Sequence, residues 1–508
     1  MEGSVHGAPM LVCHCTVVND RRVRELVDDG AVDLLDVASA TGAGSFCGGC
    51  QPALASIISG CTGEPASALL DRAPSRLDDD TALPTRVRQV VRAIEEELRA
   101  GGAQVGDTVD DEAALSARHD ATRGTVRDAL AVLAAHGVVR PDATGFVVAA
   151  PDPEVATVTS ALHLVGAGVT TEEVGDVRRV LERLAVRCAC HHPDPDGLAR
   201  LRDDGGDVAV ATGNPVLLLG LGVLREVAGE PRGTEASRAA VVQAVLRADV
   251  SAALAEVDGW HLDVPSAVEE PRLLAAGEEV TTALGIAVAL ATIVRRDGLA
   301  PDAVIGPEQE VADRLGVDRR ALQRAMPVLE HHAVVTRQPG PRATVAVATP
   351  DPWPAIEVLA RALEWSGAEP GQLLHVRQSL EARAVELASA TIDEAAARRL
   401  RRRLDEESTA LRQSHLSDQV LHTIHPVLAT LSGNRVLAHL AIAINLALVR
   451  RANRDPELAR FLASSVGQLS RAHAAIVDAT TRGDAAEGRR LVDAHGARHA
   501  VHGAGAVT

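Results

Sequence analysis

The chain has 508 residues, too many for one hydrophobic core, so length alone asks for several domains. Apolar residues at 46% exclude a disordered chain; aromatics at 1%, with no tyrosine, leave Ala, Leu and Val to fill the cores and favour helix-on-helix packing over β-sandwiches. A formal net charge of −18 excludes a protein coated in positive charge but leaves room for a local basic face.

The first segments hold four of the 7 cysteines in two tight pairs, Cys13/Cys15 and Cys47/Cys50. Between them, Asn19–Gly30 and Ala31–Gly42 each read as a short amphipathic helix, with Asn19 as cap and Gly30 and Gly42 as stops. So small a two-helix unit needs a bound centre to stabilise it. With no basic leader into an apolar stretch and no bilayer-length apolar run, the chain is expected in the cytoplasm, without membrane contact, where paired thiols bind metal more often than they form disulfides. Four thiolates suit zinc or an iron–sulfur cluster; C-x-C is unusual for zinc, and Gly48-Gly49 lets backbone N–H groups curl toward sulfide. The C-x-C…C-x2-C spacing with the following Gln51-Pro52-Ala53-Leu54 resembles the bacterioferritin-associated-ferredoxin-like (BFD-like) domain over residues 10–62. That resemblance implies a 2Fe–2S cluster on Cys13, Cys15, Cys47 and Cys50.

A linker at 63–83 leads into a duplication. Asp111 onward aligns with Pro307 onward without a gap at an offset of 196, and after the next turn Pro151 aligns with Pro350 at an offset of 199. Each copy opens with a helix (84–100 and 277–297). A short helix, a tight turn, a second helix and a strand-turn-strand wing follow, the arrangement of a DNA-reading module. Leu115, Val126, Ala129, Leu130 and Leu133 recur at helical spacing, and Thr122 is placed to cap the second helix.

These segments resemble the winged helices of GntR-type regulators, and the helical half after each, opening on Arg178-x-x-Leu181-Glu182 or Arg377-x-x-Leu380-Glu381, resembles the effector domain (FCD) of the FadR subfamily. The expected fold is mainly α. Its domains are a 2Fe–2S domain (1–62), winged helices at 84–150 and 277–349, a degenerate helical domain at 151–265, a linker at 266–276 and a full effector domain at 350–503. The resemblance places base and phosphate contacts on Thr122, Arg123, Thr125 and Arg127, and on Arg319, Arg320, Gln323 and Arg324. In the second copy Asp318 takes the cap, where it would repel phosphate, and Pro327 should kink or shorten the helix.

The FCD pattern implies a divalent metal, zinc or nickel, held by an Asp-x3-His pair and two further histidines. His473 and His495 match the latter. For the former, Asp418-x3-His422 matches the pattern itself, while His425 matches the spacing to Gly433-Asn434; all three share a helix face. Arg377 and Asn434 are the implied effector-binding residues, for a small organic acid. The first copy is 21 residues shorter between its Glu182 and Asn214 than the second between Glu381 and Asn434, which predicts a lost helix; Arg238 and Trp260 stand where His473 and His495 do. The expected function is a DNA-binding transcription regulator, a repressor, acting as an internal pseudo-dimer or a homodimer on an operator. The rival is an electron-transfer protein with helical scaffolding; no nucleophile–base set or nucleotide fingerprint suggests an enzyme.

Overall fold

The computed structural model describes residues 11–13, 18–28, 32–34, 36–37, 51–66, 69, 85–100, 102–143, 145–204, 207–229, 235–260, 283–338, 344–348, 350–412, 424–452, 455 and 466–503. It divides into two compact units, Met1–Thr81 and Ala82–Thr508. In the first, strand β1 (Leu11–Cys13) pairs antiparallel with β2 (Val18–Asn19), and helix α1 (Asp20–Asp28) packs on α2 (Gln51–Thr62). Its core is small: Val23, Leu26, Leu34, Val37, Leu54, Ile58 and Leu69. Asn19 ends a strand, and α1 begins at the next residue.

The second unit begins with a winged helix: α3 (Thr85–Ala100), β3 (Thr108–Val109), α4 (Glu112–Arg118), α5 (Arg123–Ala135), β4 (Val139–Asp142) and β5 (Gly145–Val148), with sheet order β3-β5-β4. Asp111 caps α4 by accepting from Ala113 and Ala114 N–H, and Thr122 caps α5 by accepting from Thr125 N–H at 3.1 Å. The turn between these helices puts Asp120 at φ 47°, a left-handed backbone that Gly316, its counterpart 196 residues on, adopts at φ 67°. The second winged helix repeats the plan with α12 (Ala283–Arg296), β6 (Val304–Pro307), α13 (Glu308–Leu315), α14 (Arg319–His331), β7 (Val335–Gln338) and β8 (Thr344–Val347), in sheet order β6-β8-β7.

Pro327 does not shorten α14, which runs 13 residues like α5. The proline removes one amide donor, but every residue from Ala325 to His331 is buried, and that packing carries the helix through.

The first helical half comprises α6 (Pro153–Gly166), α7 (Thr171–His191), α8 (Pro195–Asp204), a 3-10 turn (Val208–Thr212), α9 (Pro215–Ala228), α10 (Glu235–Leu246) and α11 (Val250–Asp258). The second comprises α15 (Trp353–Trp365), α16 (Pro370–Thr391), α17 (Glu394–Arg412), α18 (Ile424–Leu431), α19 (Arg435–Ala452), α20 (Val466–Thr481) and α21 (Ala485–Gly503). Among the described residues the first half thus has six α-helices against seven in the second. In chain order α8, 10 residues against the 19 of α17, and a five-residue 3-10 turn in place of the α-helix α18 take up the shortening.

The halves interlock. α6 packs on α15, α7 on α16 and α19, and one continuous core runs through Leu181, Leu217, Leu359, Leu380 and Leu440. The winged helices dock crosswise: α12 lies on α6 of the first half with Val158 and Leu162 in its core, while Glu95 of α3 pairs with Arg361 on α15 of the second half. Among the described residues no helix is long and apolar enough to cross a membrane.

Candidate metal centre and DNA-reading face

Six helices of the second half converge on a polar pocket in an otherwise apolar bundle. α18 supplies His425, α20 His473 and α21 His495; all three are buried, and one nitrogen from each lies within 4.8 Å of the others. His473 Nε2 and His495 Nε2 are 3.4 Å apart. Two nitrogens sharing one tetrahedral zinc at its usual bond length stand about 3.4 Å apart, so the spacing fits an ion between them. Carboxylates orient the outer nitrogens: Glu407 of α17 bonds His473 Nδ1, and Glu381 Oε1 of α16 lies 3.0 Å from His425 Nδ1. This carboxylate–imidazole arrangement fixes the tautomer and leaves Nε2 free to ligate. Burial pushes the His425 pKa down, with Arg377 and His473 acting the same way and Glu381 opposing, so the ring is held neutral, its ligating form. Burial alone would raise the Glu381 pKa, but Arg377 and His425 outweigh it and hold the carboxyl at about 2. Asp418 and His422 lie outside the described residues, and among those described it is His425 that joins His473 and His495.

Close helix approach builds this pocket. Gly488 on α21 lies so near α16 that a Cβ there would sit 2.5 Å from Val385 Cγ1, and Gly496 abuts Gln378 in the same way. The two glycines let α21 lie against α16 and bring His495 into reach. Arg377 sits deeper in the wall, 3.1 Å from Glu381 Oε1 and donating to Asn445 Oδ1 at 3.2 Å. Asn434 caps α19 by accepting from Leu437 N–H and donates to the Glu173 carbonyl of the first half. Sequence reasoning missed Glu407 and Asn445, which carry no spacing signal, and it named Glu381 as part of the Arg377 motif without giving it an orienting role.

In the first half the same region is filled differently. Trp260 Nε1 donates to Ser237 Oγ, which bonds Glu256, each at 2.9 Å. Arg178, counterpart of Arg377, donates to the Leu224 and Gly229 carbonyls and closes the end of α9. Cys188 and Cys190 are half-buried and buried, and burial raises both thiol pKa values, with Asp249 adding to the rise for Cys190. That environment disfavours thiolate ligands.

On the winged helices the sequence-predicted readers lie at the N-terminal ends of α5 and α14. Arg123, Arg127, Arg319, Arg320, Gln323 and Arg324 are exposed. Three are held by two acids the sequence reading passed over, one acid in each copy at matching positions: Glu112 takes Arg127 in a two-point bond at 2.9 and 3.1 Å, and Glu308 accepts from Gln323 at 2.9 Å and Arg319 at 3.2 Å. Asp318 caps α14, accepting from Ala321 N–H at 2.8 Å. The later turns of α5 and α14 pack on each other around the buried rings of His136, His331 and His332, with centroids 4.7 to 5.4 Å apart. The N-terminal two turns of the helices keep Arg123, Arg127, Arg319, Arg320, Gln323 and Arg324 exposed.

Cys15, Cys47 and Cys50 lie outside the described residues; Cys13 closes β1. The BFD-like [2Fe-2S] binding domain family matches residues 11–59 and the FCD domain family residues 372–498. No curated protein matches the chain. Among solved structures it is similar to Streptococcus agalactiae GntR at 17% identity, covering 43% of this chain and 99% of that one, with a TM-score of 0.32. With its thiolate pairs inside the one match and its histidine pocket inside the other, the chain carries a BFD-like [2Fe-2S] binding domain at one end and an FCD domain at the other.

Proposed function

We propose that this protein is a cytoplasmic DNA-binding transcription regulator, a repressor of GntR/FadR type, whose grip on an operator answers to an iron–sulfur cluster and to a metal-held small acid. The observation that carries the reading is the joining of two winged helices, back to back through α5 and α14, to one metal-ready effector half. Arg123, Thr125 and Arg127 with Thr122 form one reader and Arg319, Arg320, Gln323 and Arg324 the other; engagement of DNA would draw Arg127 and Arg319 away from Glu112 and Glu308 onto phosphate or guanine. Covalent joining makes the second engagement intramolecular, which suits one chain on an asymmetric site. Cys13, Cys15, Cys47 and Cys50 would hold the cluster. His425, His473 and His495 would hold zinc or nickel, which when bound offers open positions to a carboxylate; Arg377 supplies charge beside it, and Asn434 anchors the adjoining helix.

The experiment is an anaerobic one. Protein purified without oxygen should carry iron and sulfide, lost in Cys47→Ser/Cys50→Ser, and a zinc or nickel ion lost in His473→Ala/His495→Ala. A duplex selected from a random pool should bind with a steep salt dependence, weakened about tenfold or more by Arg123→Gln/Arg319→Gln. Holo and cluster-free forms should differ in affinity by up to roughly 150-fold, the scale of a usable switch. Equal affinities would reduce the cluster to a structural staple, and a chain that retains iron but ignores every duplex would favour electron transfer.

A further inference from the structure

Outside the metal pocket, a cavity of about 570 Å³ lies between the two helical halves, walled by α7, α16 and α21. That volume is in the range of small-molecule sites. Each α7 residue in its lining has its counterpart 199 positions on in the α16 wall, from Asp176 and His375 to Arg187 and Glu386, so the cavity sits on the internal pseudo-twofold. Its two walls have diverged in charge. α7 presents Arg179, Arg183 and Arg187 at successive turns of one face, where α16 has Gln378, Ala382 and Glu386. The lining holds five arginines against three carboxylates.

Those carboxylates are already engaged. Asp176 takes Arg383 at 2.9 and 3.1 Å, Glu386 takes Arg383 at 2.9 Å and Arg489 as well, and Asp493 lies 3.9 Å from Arg489. Arg183 is held by Asp258 from outside the cavity. Arg179 and Arg187 are left with no acidic partner among the described residues, two surplus positive charges in a chain whose net charge is −18. His375, on the facing wall, has its pKa pushed down by burial first and then by Arg187 and His192, as a locally positive field requires.

We infer that this cavity binds a small polyanion, carboxylate or phosphate, with Arg179 and Arg187 clamping its charged groups and the ligand bridging the two halves. Arginine forks suit carboxylate and phosphate alike, and both chemistries are present among metabolites. The site is distinct from the histidine pocket and stands whether or not that pocket holds metal.

The test is titration calorimetry on the full chain carrying His473→Ala/His495→Ala, so that no metal-held anion contributes, with citrate in one arm and pyrophosphate in the other. One binding event per chain in either arm supports the site, and the stronger arm names the source as polycarboxylate or phosphate. Arg179→Gln/Arg187→Gln added to that background should weaken it by about tenfold or more; both side chains are exposed, and an unchanged melting temperature without ligand shows that the fold is kept. Absence of heat with both anions at millimolar concentration, or equal affinity with and without the two arginines, overturns the proposal.

Discussion

Single residues decide how the helical halves are tied and how the readers are shaped. Glu173 caps its own helix through Thr170 N–H and receives the Arg435 guanidinium and backbone N–H from the other half, at 2.6 to 2.9 Å. Burial alone would raise its pKa; Arg435 outweighs this and holds it at about 2, against an ordinary 4.5. A depressed carboxylate contributes stability above its unfolded value and loses it as pH falls through the folded one. Glu173→Gln should therefore cost about 1 kcal/mol at neutral pH, a figure discounted for solvent reaching Arg435, and the difference should vanish as the pH falls from 4.5 toward 2, followed by urea unfolding. A deficit that persists at pH 2 would mean that the side chain acts through packing alone. At this scale much was legible. Thr122 was readable as a cap because hydroxyl residues at that position satisfy orphan amides, and His473 and His495 were readable by spacing. Glu407 was not, because a carboxylate brought in by a separate helix leaves no pattern in the chain.

At the scale of elements, two contacts matter most. The first is α21 on α16, where Gly488 leaves no room for a side chain. Gly488→Val should push α21 outward and carry His495 with it, lowering zinc affinity by tenfold or more while helix content is kept, as an overpacked interface demands. Unchanged zinc binding by competition with a chromogenic chelator would refute the link between that seam and the pocket. The second is α5 on α14. His136 is buried and lowered by burial to about 3, and His332 is lowered by burial first, with His136 and His163 adding to it. His331, Asp128, Glu330 and Arg337 face the same junction. His163, lowered to about 4 by burial and then by Arg435, stacks on His439 in the helical core. A ring kept neutral when folded but protonated when unfolded loses the protein stability as pH falls from 6.5 toward 3. His136→Leu, which also removes a buried nitrogen with no hydrogen-bond partner, should flatten that part of the pH–stability curve; an unchanged slope in thermal melts would place the acid sensitivity elsewhere. Neither contact was readable beforehand. Period and caps locate helices, but which turn of one meets which turn of another is set by the whole packing, and Pro327 misled because propensity weighs less than burial there.

For the whole molecule, the duplication was plain in the sequence, since gapless offsets preserve both apolar spacing and turn positions. The crosswise docking was not, because nothing in either copy states which half its winged helix will lean on. The shared core of the helical halves makes a prediction. A protease site placed between residues 261 and 282 and then cut should leave two pieces that co-elute in gel filtration, held by α6, α7, α15, α16 and α19. Separation of the pieces without denaturant would show that the covalent connection, and not the buried surface, holds the halves together.

The interlock also explains how one copy could shed its chemistry. A free-standing domain that gave up a stabilising ion would risk unfolding, and selection would reject the change. Here the first half leans on its sibling through α6, α7 and α9, so the pocket that faces Trp260, Ser237 and Glu256 could be plugged by ordinary side chains at little thermodynamic loss. Twin origin thus left two unlike siblings: one carries the buried triad of His425, His473 and His495, and the other is released to vary its outer wall.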